Sequence, residues 1–124
     1  MSVILADTSI WADHFRSNDF HLTELLGVNH VIIHPFVLAE IALGSLRGRA
    51  KSISDLQSLP VTRVVDDAAV LHSIESLKLY ATGIGFVDAH ILLSAKQEGH
   101  DLWTRDKRLA AQAQRLGVHY GVMQ

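Results

Sequence analysis

The chain has 124 residues, 48% of them hydrophobic, which is enough to bury one continuous core, so a single domain over residues 1–124 is expected. The absence of cysteine excludes disulfides, thiolate nucleophiles and sulfur-ligated zinc, and leaves oxygen or imidazole to hold any metal. A net charge of −2, no basic-then-apolar leader and no apolar run near the roughly 18 residues of a membrane span predict a soluble cytoplasmic protein without global attraction for nucleic acid.

The first element is "VILA", residues 3–6, a short apolar run of the kind found in a strand buried on both faces. "DTS" follows and can cap a helix beginning near Ile10. A second helix is expected from Phe20 to Leu26, stopped at Gly27. "HVIIH", residues 30–34, reads as a second strand, and Pro35 suits the first turn of a helix continuing through Leu43. Another helix is placed at about Lys51 to Leu59, and "VTRVV", residues 61–65, is read as a third strand. Asp66 and Asp67 open a helix towards Tyr80, and "TGIG" breaks the chain before an apolar helix from about Phe86 to Glu98, ended by Gly99. "DLWT" is a short strand, Asp106 to Leu116 a helix closed by Gly117, and "VHYGV", residues 118–122, a final strand. Strands alternating with helices imply parallel pairing through right-handed crossovers, hence an α/β fold: a three-layer α/β/α sandwich with a mainly parallel central sheet.

In such sheets ligands collect beyond the carboxyl ends of the strands. Asp7 directly follows the first strand, and Thr104 and Asp106 directly follow "LW". Each acid alone has a plain explanation as a helix cap. Two further acids are harder to explain. Glu40 shares a helical face with Phe36, Val37, Leu43 and Gly44, and Asp88 with Ile84, Gly85, Ile91 and Leu92, so both are expected on buried sides. A buried carboxylate without a partner costs several kcal/mol, and no Arg or Lys lies within one helical turn of either. A distant arginine, protonation or, for Asp88, the helix N-terminus could compensate. The economical alternative is convergence of all four acids on shared divalent cations, since crowded carboxylates otherwise raise one another's pKa. Hard oxygen ligands select Mg²⁺ or Mn²⁺, and Mg²⁺ held by few carboxylates points to a phosphate-ester substrate. Four acids can hold one or two ions, about 3.5 to 4 Å apart in a two-ion site, for an in-line displacement by activated water.

"ADTSIWADHFR", the acid in "PFVLAEIALG", "GIGFVDAHILLSA" and "LWTRDKRLAAQAQRLGV" together resemble the PIN-domain proteins, and specifically the VapC-type toxin ribonucleases of toxin–antitoxin systems. The likeness covers nearly the whole chain. It implies that Asp7, Glu40, Asp88 and Asp106 are the catalytic, metal-binding acids, the last more often through water or a second metal. Ser9 and Thr104 match positions whose hydroxyls support the cluster. It implies, further, an Mg²⁺-dependent endoribonuclease that leaves a 5′-phosphate and a 3′-hydroxyl, a homodimer, and a VapB-type antitoxin whose C-terminal segment reaches the acids.

Two basic clusters, Arg47, Arg49 and Lys51 in "RGRAK" and Arg105, Lys107 and Arg108 around Asp106, are candidate RNA contacts beside the plainer reading of solvated charge. The histidines at 14, 21, 30, 34, 72, 90, 100 and 119 lack zinc-site spacing and are expected at the surface or satisfied. Trp11 and Phe15, four residues apart, fit core or dimer packing better than base stacking. The competing functional readings are a non-catalytic PIN-like binding or scaffold domain and an acidic phosphatase or phospho-receiver domain; the last lacks a D-x-D continuation.

Overall fold

The computed structural model describes residues 3–121. Its sheet is parallel throughout. Strand β1 (Ile4–Ala6) lies between β2 (Val31–Ile32) and β3 (Asp101–Trp103), with Ile4 opposite both Val31 and Asp101. All three residues of β1 are buried, as a strand covered on both faces requires. Parallel neighbours need helical crossovers. The helices are α1 (Thr8–Ser17), α2 (Phe20–Gly27), α3 (Pro35–Leu43), α4 (Arg49–Gln57), α5 (Asp67–Ser76), α6 (Phe86–Glu98) and α7 (Lys107–Arg115). One packed set joins α1, α3 and α4; another joins α6 to α5 and α7. This is the expected α/β/α sandwich. Its centre is built from Leu5, Ile10, Leu22, Ile33, Ile91, Leu92, Leu102 and Leu109, each less than 2% exposed.

Two expected strands shrink to single bridges. In "VTRVV" only Val61 pairs, opposite Ile33, through Ile33 N–H to the Pro60 carbonyl (2.9 Å) and Thr62 N–H to the Ile33 carbonyl (3.0 Å). The ladder stops because its next donor would be Pro35, which has no N–H and already opens α3, while the Arg63 carbonyl accepts the Ser94 hydroxyl from α6 at 2.8 Å. In "VHYGV" only His119 bridges to Leu102, and Val122 lies outside the described residues. These bridges flank β2 and β3, so the short sheet is widened at both edges. Two helix starts also move: α1 begins at Thr8, because Asp7 itself is the cap, and α4 begins at Arg49.

Trp11 is buried and stacked on Phe15 (centroids 6.0 Å), the core packing expected of that pair. Two histidines overturn the expectation of surface or satisfied rings. His34 and His90 are 0% and 1% exposed, and His34 Nε2 and both His90 ring nitrogens have no hydrogen-bond partner. Their surroundings are mainly aromatic, with Phe36 4.9 Å from His34 and 4.7 Å from His90, and Phe86 4.6 Å from His90, centroid to centroid; the exposed Asp67 carboxylate comes within 3.4 Å of His90 Nε2 without hydrogen-bond geometry. His34 caps α3, its Nδ1 accepting the Phe36 N–H at 2.9 Å, so the neutral ring carries its proton on Nε2. Burial, and then the neighbouring His90, push the His34 pKa from 6.5 to about 4. The unfolded chain therefore takes up a proton below its ordinary value while the folded chain does not, and stability falls as pH drops from 6.5 towards 4. From about pH 8 to about pH 5 this group should remove roughly 2 kcal/mol of stability. Urea midpoints will show it, and His34→Asn, which keeps a cap acceptor, should flatten the slope.

Candidate active site

Three helix N-termini meet the carboxyl ends of β1 and β3, and each carries an acid. Asp7 follows β1, is 5% exposed, and caps α1. Its Oδ1 accepts the Ser9 N–H (3.0 Å), the Ser9 hydroxyl (2.5 Å) and the Ile10 N–H (3.3 Å), and its Oδ2 accepts the Thr104 hydroxyl. Asp106 follows β3 and caps α7, Oδ1 accepting the Arg108 N–H (2.9 Å) and the Leu109 N–H (3.0 Å). Asp88, third residue of α6, accepts the Gly85 N–H at 3.4 Å. The capping and clustering readings are thus compatible: the cap bonds fall on Oδ1 of Asp7 and of Asp106, and the Asp7 Oδ2, which also accepts from Thr104, keeps a second lone pair for a ligand.

Hydroxyls tie the acids together. Thr104 donates to Asp7 and accepts the Asp106 N–H at 3.0 Å, so a single side chain spans two of them. Ser9, bonded to Asp7, accepts the Arg105 N–H at 3.0 Å. Thr8, between Asp7 and Ser9, donates to Glu40 Oε1 at 2.6 Å and draws α3 to the same rim. Sequence reasoning missed Thr8; its place inside the "DTS" triplet was the only available signal.

Glu40 corrects the expectation of burial, for it is exposed. The core face of α3 runs through Val37 and Ile41, while Leu43, 88% exposed, shares the outward side with Glu40. An apolar neighbour at helical spacing marks a face without saying which way it turns. Glu40 borders a groove of about 700 Å³ between α1 and the α3–α4 connection, walled by Phe15, Arg16, Ile41, Leu46 and Arg47. Asp88 is half-buried.

The electrostatics follow from this placement. Burial raises the Asp7 pKa above 3.8 despite the Ser9 and Thr104 hydrogen bonds that favour its ionised form. Asp88 is also raised, first by burial and then by the Asp106 and Glu40 carboxylates, which places these three in one field. Among the described residues no Arg or Lys forms an ion pair with any of the four acids. Nor do three Asp, Glu or His side chains there stand in ready ligand position for one ion. Mg²⁺ is held by one or two carboxylates and keeps several of its waters, so the fit rests on the chemistry of the donors. An all-oxygen set of mutually repelling acids is the donor chemistry such an ion requires.

The basic residues differ in freedom. Arg105 is engaged internally, with Asp19 at 2.7 Å and Asp13 at 3.2 Å, and its guanidinium lies 5.6 Å from the Trp103 ring centroid. Lys51 pairs with Asp55 (3.0 Å), and Arg49 donates to the Ala42 carbonyl (2.8 Å). Arg47 lines the groove, and Lys107 and Arg108 are exposed in the first turn of α7.

Residues 4–115 match the family model of the PIN domain. Ribonuclease VapC32 of Mycobacterium tuberculosis, in strains CDC 1551 / Oshkosh and ATCC 25618 / H37Rv, is 43% identical over 117 residues, spanning 94% of this chain and 94% of that protein. The crystal structure of PAE2754 from Pyrobaculum aerophilum superposes with a TM-score of 0.64 at 19% identity, covering 94% of this chain and 96% of that one, a likeness of fold. No helix among the described residues is long and apolar enough to cross a membrane. With acids at the carboxyl ends of a parallel sheet, a family match over most of its length and a relative sharing more than two residues in five, this chain belongs to the PIN-domain family, as a VapC-type member.

Proposed function

We propose that the chain acts as a single-domain, divalent-metal-dependent endoribonuclease, the toxin of a type II toxin–antitoxin pair. The observation carrying this reading is the crowding at Asp88: burial, and with it the Asp106 and Glu40 carboxylates, raise its pKa, and among the described residues no Arg or Lys pairs with any of the three. Asp7, Glu40 and Asp88 would bind Mg²⁺ directly or through water, with Mn²⁺ as substitute, and Asp106 would complete the site. When bound, the ion supplies a water activated at neutral pH and positive charge for the leaving oxygen. The Ser9 and Thr104 hydroxyls would hold the Asp7 carboxylate in one orientation. The water oxygen adds to phosphorus, the bond from phosphorus to O3′ breaks, and a proton passes to O3′, leaving 5′-phosphate and 3′-hydroxyl ends. Arg47, Lys107 and Arg108 are the freest of the six basic residues to meet RNA phosphates; Arg49, Lys51 and Arg105 already have partners.

The groove beside Glu40, apolar at Phe15, Ile41 and Leu46 and basic at Arg16 and Arg47, suits the C-terminal segment of a VapB-type antitoxin. A cytoplasmic homodimer is the expected form. The test is incubation of the purified protein with single-stranded RNA and with total RNA, in Mg²⁺, in Mn²⁺ and in EDTA, followed by sequencing of the ends. Metal-dependent cuts carrying 5′-phosphates are expected. Cleavage indifferent to EDTA would remove the metal from the reading, and intact RNA under every condition would favour the scaffold alternative.

A further inference from the structure

Gly83 lies in the loop before α6, two residues ahead of Gly85, the cap of the helix that carries Asp88. Its φ of +88° is a left-handed conformation that by itself favours glycine. A second fact does not follow from that angle. The Arg108 side chain of α7 crosses the open face of Gly83: a methyl group there would sit 2.7 Å from Arg108 Cδ, 3.1 Å from Nε and 3.3 Å from Nη1. Any side chain at 83 would push Arg108 aside, so the loop forms a slot for it.

Helix stability does not account for a cation here. Arg108 is the second residue of α7, where with Lys107 it faces the positive end of the helix dipole, an arrangement that disfavours positive charge. No carboxylate among the described residues pairs with its guanidinium. The residue is nevertheless anchored beside the site, since its own N–H bonds to Asp106 at 2.9 Å. An exposed guanidinium beside the loop, without an ion pair among the described residues, has its donors open to an incoming anion, and the Arg fork matches a phosphate bidentately.

We propose that Arg108, seated over Gly83, is the clamp that grips an RNA backbone phosphate beside the scissile one, and that Gly83 is present to seat it. This rests on the ribonuclease reading and narrows it from a basic patch to one side chain and its slot. Contact with the loop narrows the positions open to the side chain and so lowers the entropy lost when the phosphate arrives.

The experiment measures anisotropy of a fluorescent single-stranded oligoribonucleotide of mixed sequence on Asp88→Asn protein in Mg²⁺, across salt concentrations. Arg108→Ala should weaken binding about tenfold and flatten the log–log salt slope by about 0.7, the loss of one phosphate contact on a single strand. Arg108→Lys should restore the slope but not the affinity. Gly83→Ala both strains the backbone at φ +88° and displaces Arg108, so its effect on binding should shrink when residue 108 is already alanine, as for coupled residues, while its cost in Tm stays the same. In the otherwise native enzyme, Arg108→Ala should raise KM for RNA with kcat nearly unchanged. A full salt slope in Arg108→Ala, or additive effects of the two variants, overturns the proposal, and a lowered Tm without a changed slope assigns Arg108 to loop packing. If native protein cuts RNA with metal while Arg108→Ala keeps its slope, the clamp fails and the nuclease stands. If nothing binds or cuts RNA, both fail.

Discussion

Asp88→Asn should lower metal-dependent RNA cleavage by at least about 100-fold and, in the same protein, raise the melting temperature in metal-free buffer. The activity loss is at least what removal of a residue supporting a metal ligand produces. The stability gain has a separate cause. Burial and the Asp106 and Glu40 carboxylates hold the folded Asp88 pKa above its unfolded 3.8, so the group favours folding while protonated. That contribution is complete below 3.8 and disappears as pH rises through the folded value, leaving ionised Asp88 as a burden at neutral pH. Asparagine has the same shape, keeps an acceptor for the Gly85 N–H and carries no charge. The rise will be modest, because Asp88 is only half-buried and solvent screens part of the repulsion. A residue retained for structure alone would behave the other way, with stability lost and cleavage intact, and that outcome would refute the assignment.

Divalent metal should do for the native protein what asparagine does for the variant, and more. At a Mn²⁺ or Mg²⁺ concentration about 100 times Kd, binding to the folded state alone contributes about 2.7 kcal/mol, a Tm increase of roughly 10 °C for a domain of this size. The increase should grow with pH, since Asp7 and Asp88 are both raised and must give up their protons before they can coordinate. Asp88→Asn should lose most of it. The same shift in that variant, or none in the native protein at millimolar metal, would show that the acids do not form a metal site. Calcium is an informative companion ion, because its larger size and flexible coordination allow binding without supporting the same chemistry.

The chain order of elements is legible because its signals are local. "VILA" lacks polar residues and can only be a strand covered on both sides, and Asp7, Asp19, Asp66 and Asp106 each accept backbone N–H bonds at the start of the helix they precede. Pro35 opens α3 and Gly99, at φ +73°, closes α6. "VTRVV" has the same local appearance as a strand, yet its ladder fails after Thr62 because the partner chain turns into α3 at Pro35, which has no N–H to donate. The eight histidines are indistinguishable by spacing, and only packing shows that two of them are sealed among Phe36 and Phe86.

Within the site, the identity of the four acids was readable from a charged residue interrupting an apolar pattern or ending a strand. Their surroundings were not. Periodicity places Glu40 and Leu43 on one side of α3 without saying whether that side faces the core, and it faces the groove. The Thr104 bridge to Asp7 spans 97 positions, the Thr8 bond to Glu40 spans 32, and the seat of Arg108 over Gly83 joins two helices by their loops. Sequence by itself determined the alternation of strands and helices, the caps and the residue types able to carry the chemistry, because those depend on bonds within a turn or two of the chain. Tertiary structure alone decided which carboxylates share a field, which hydroxyls join them and which basic side chains among the described residues stand unpaired, because those depend on how the helices on the two faces of the sheet are drawn together at its carboxyl edge.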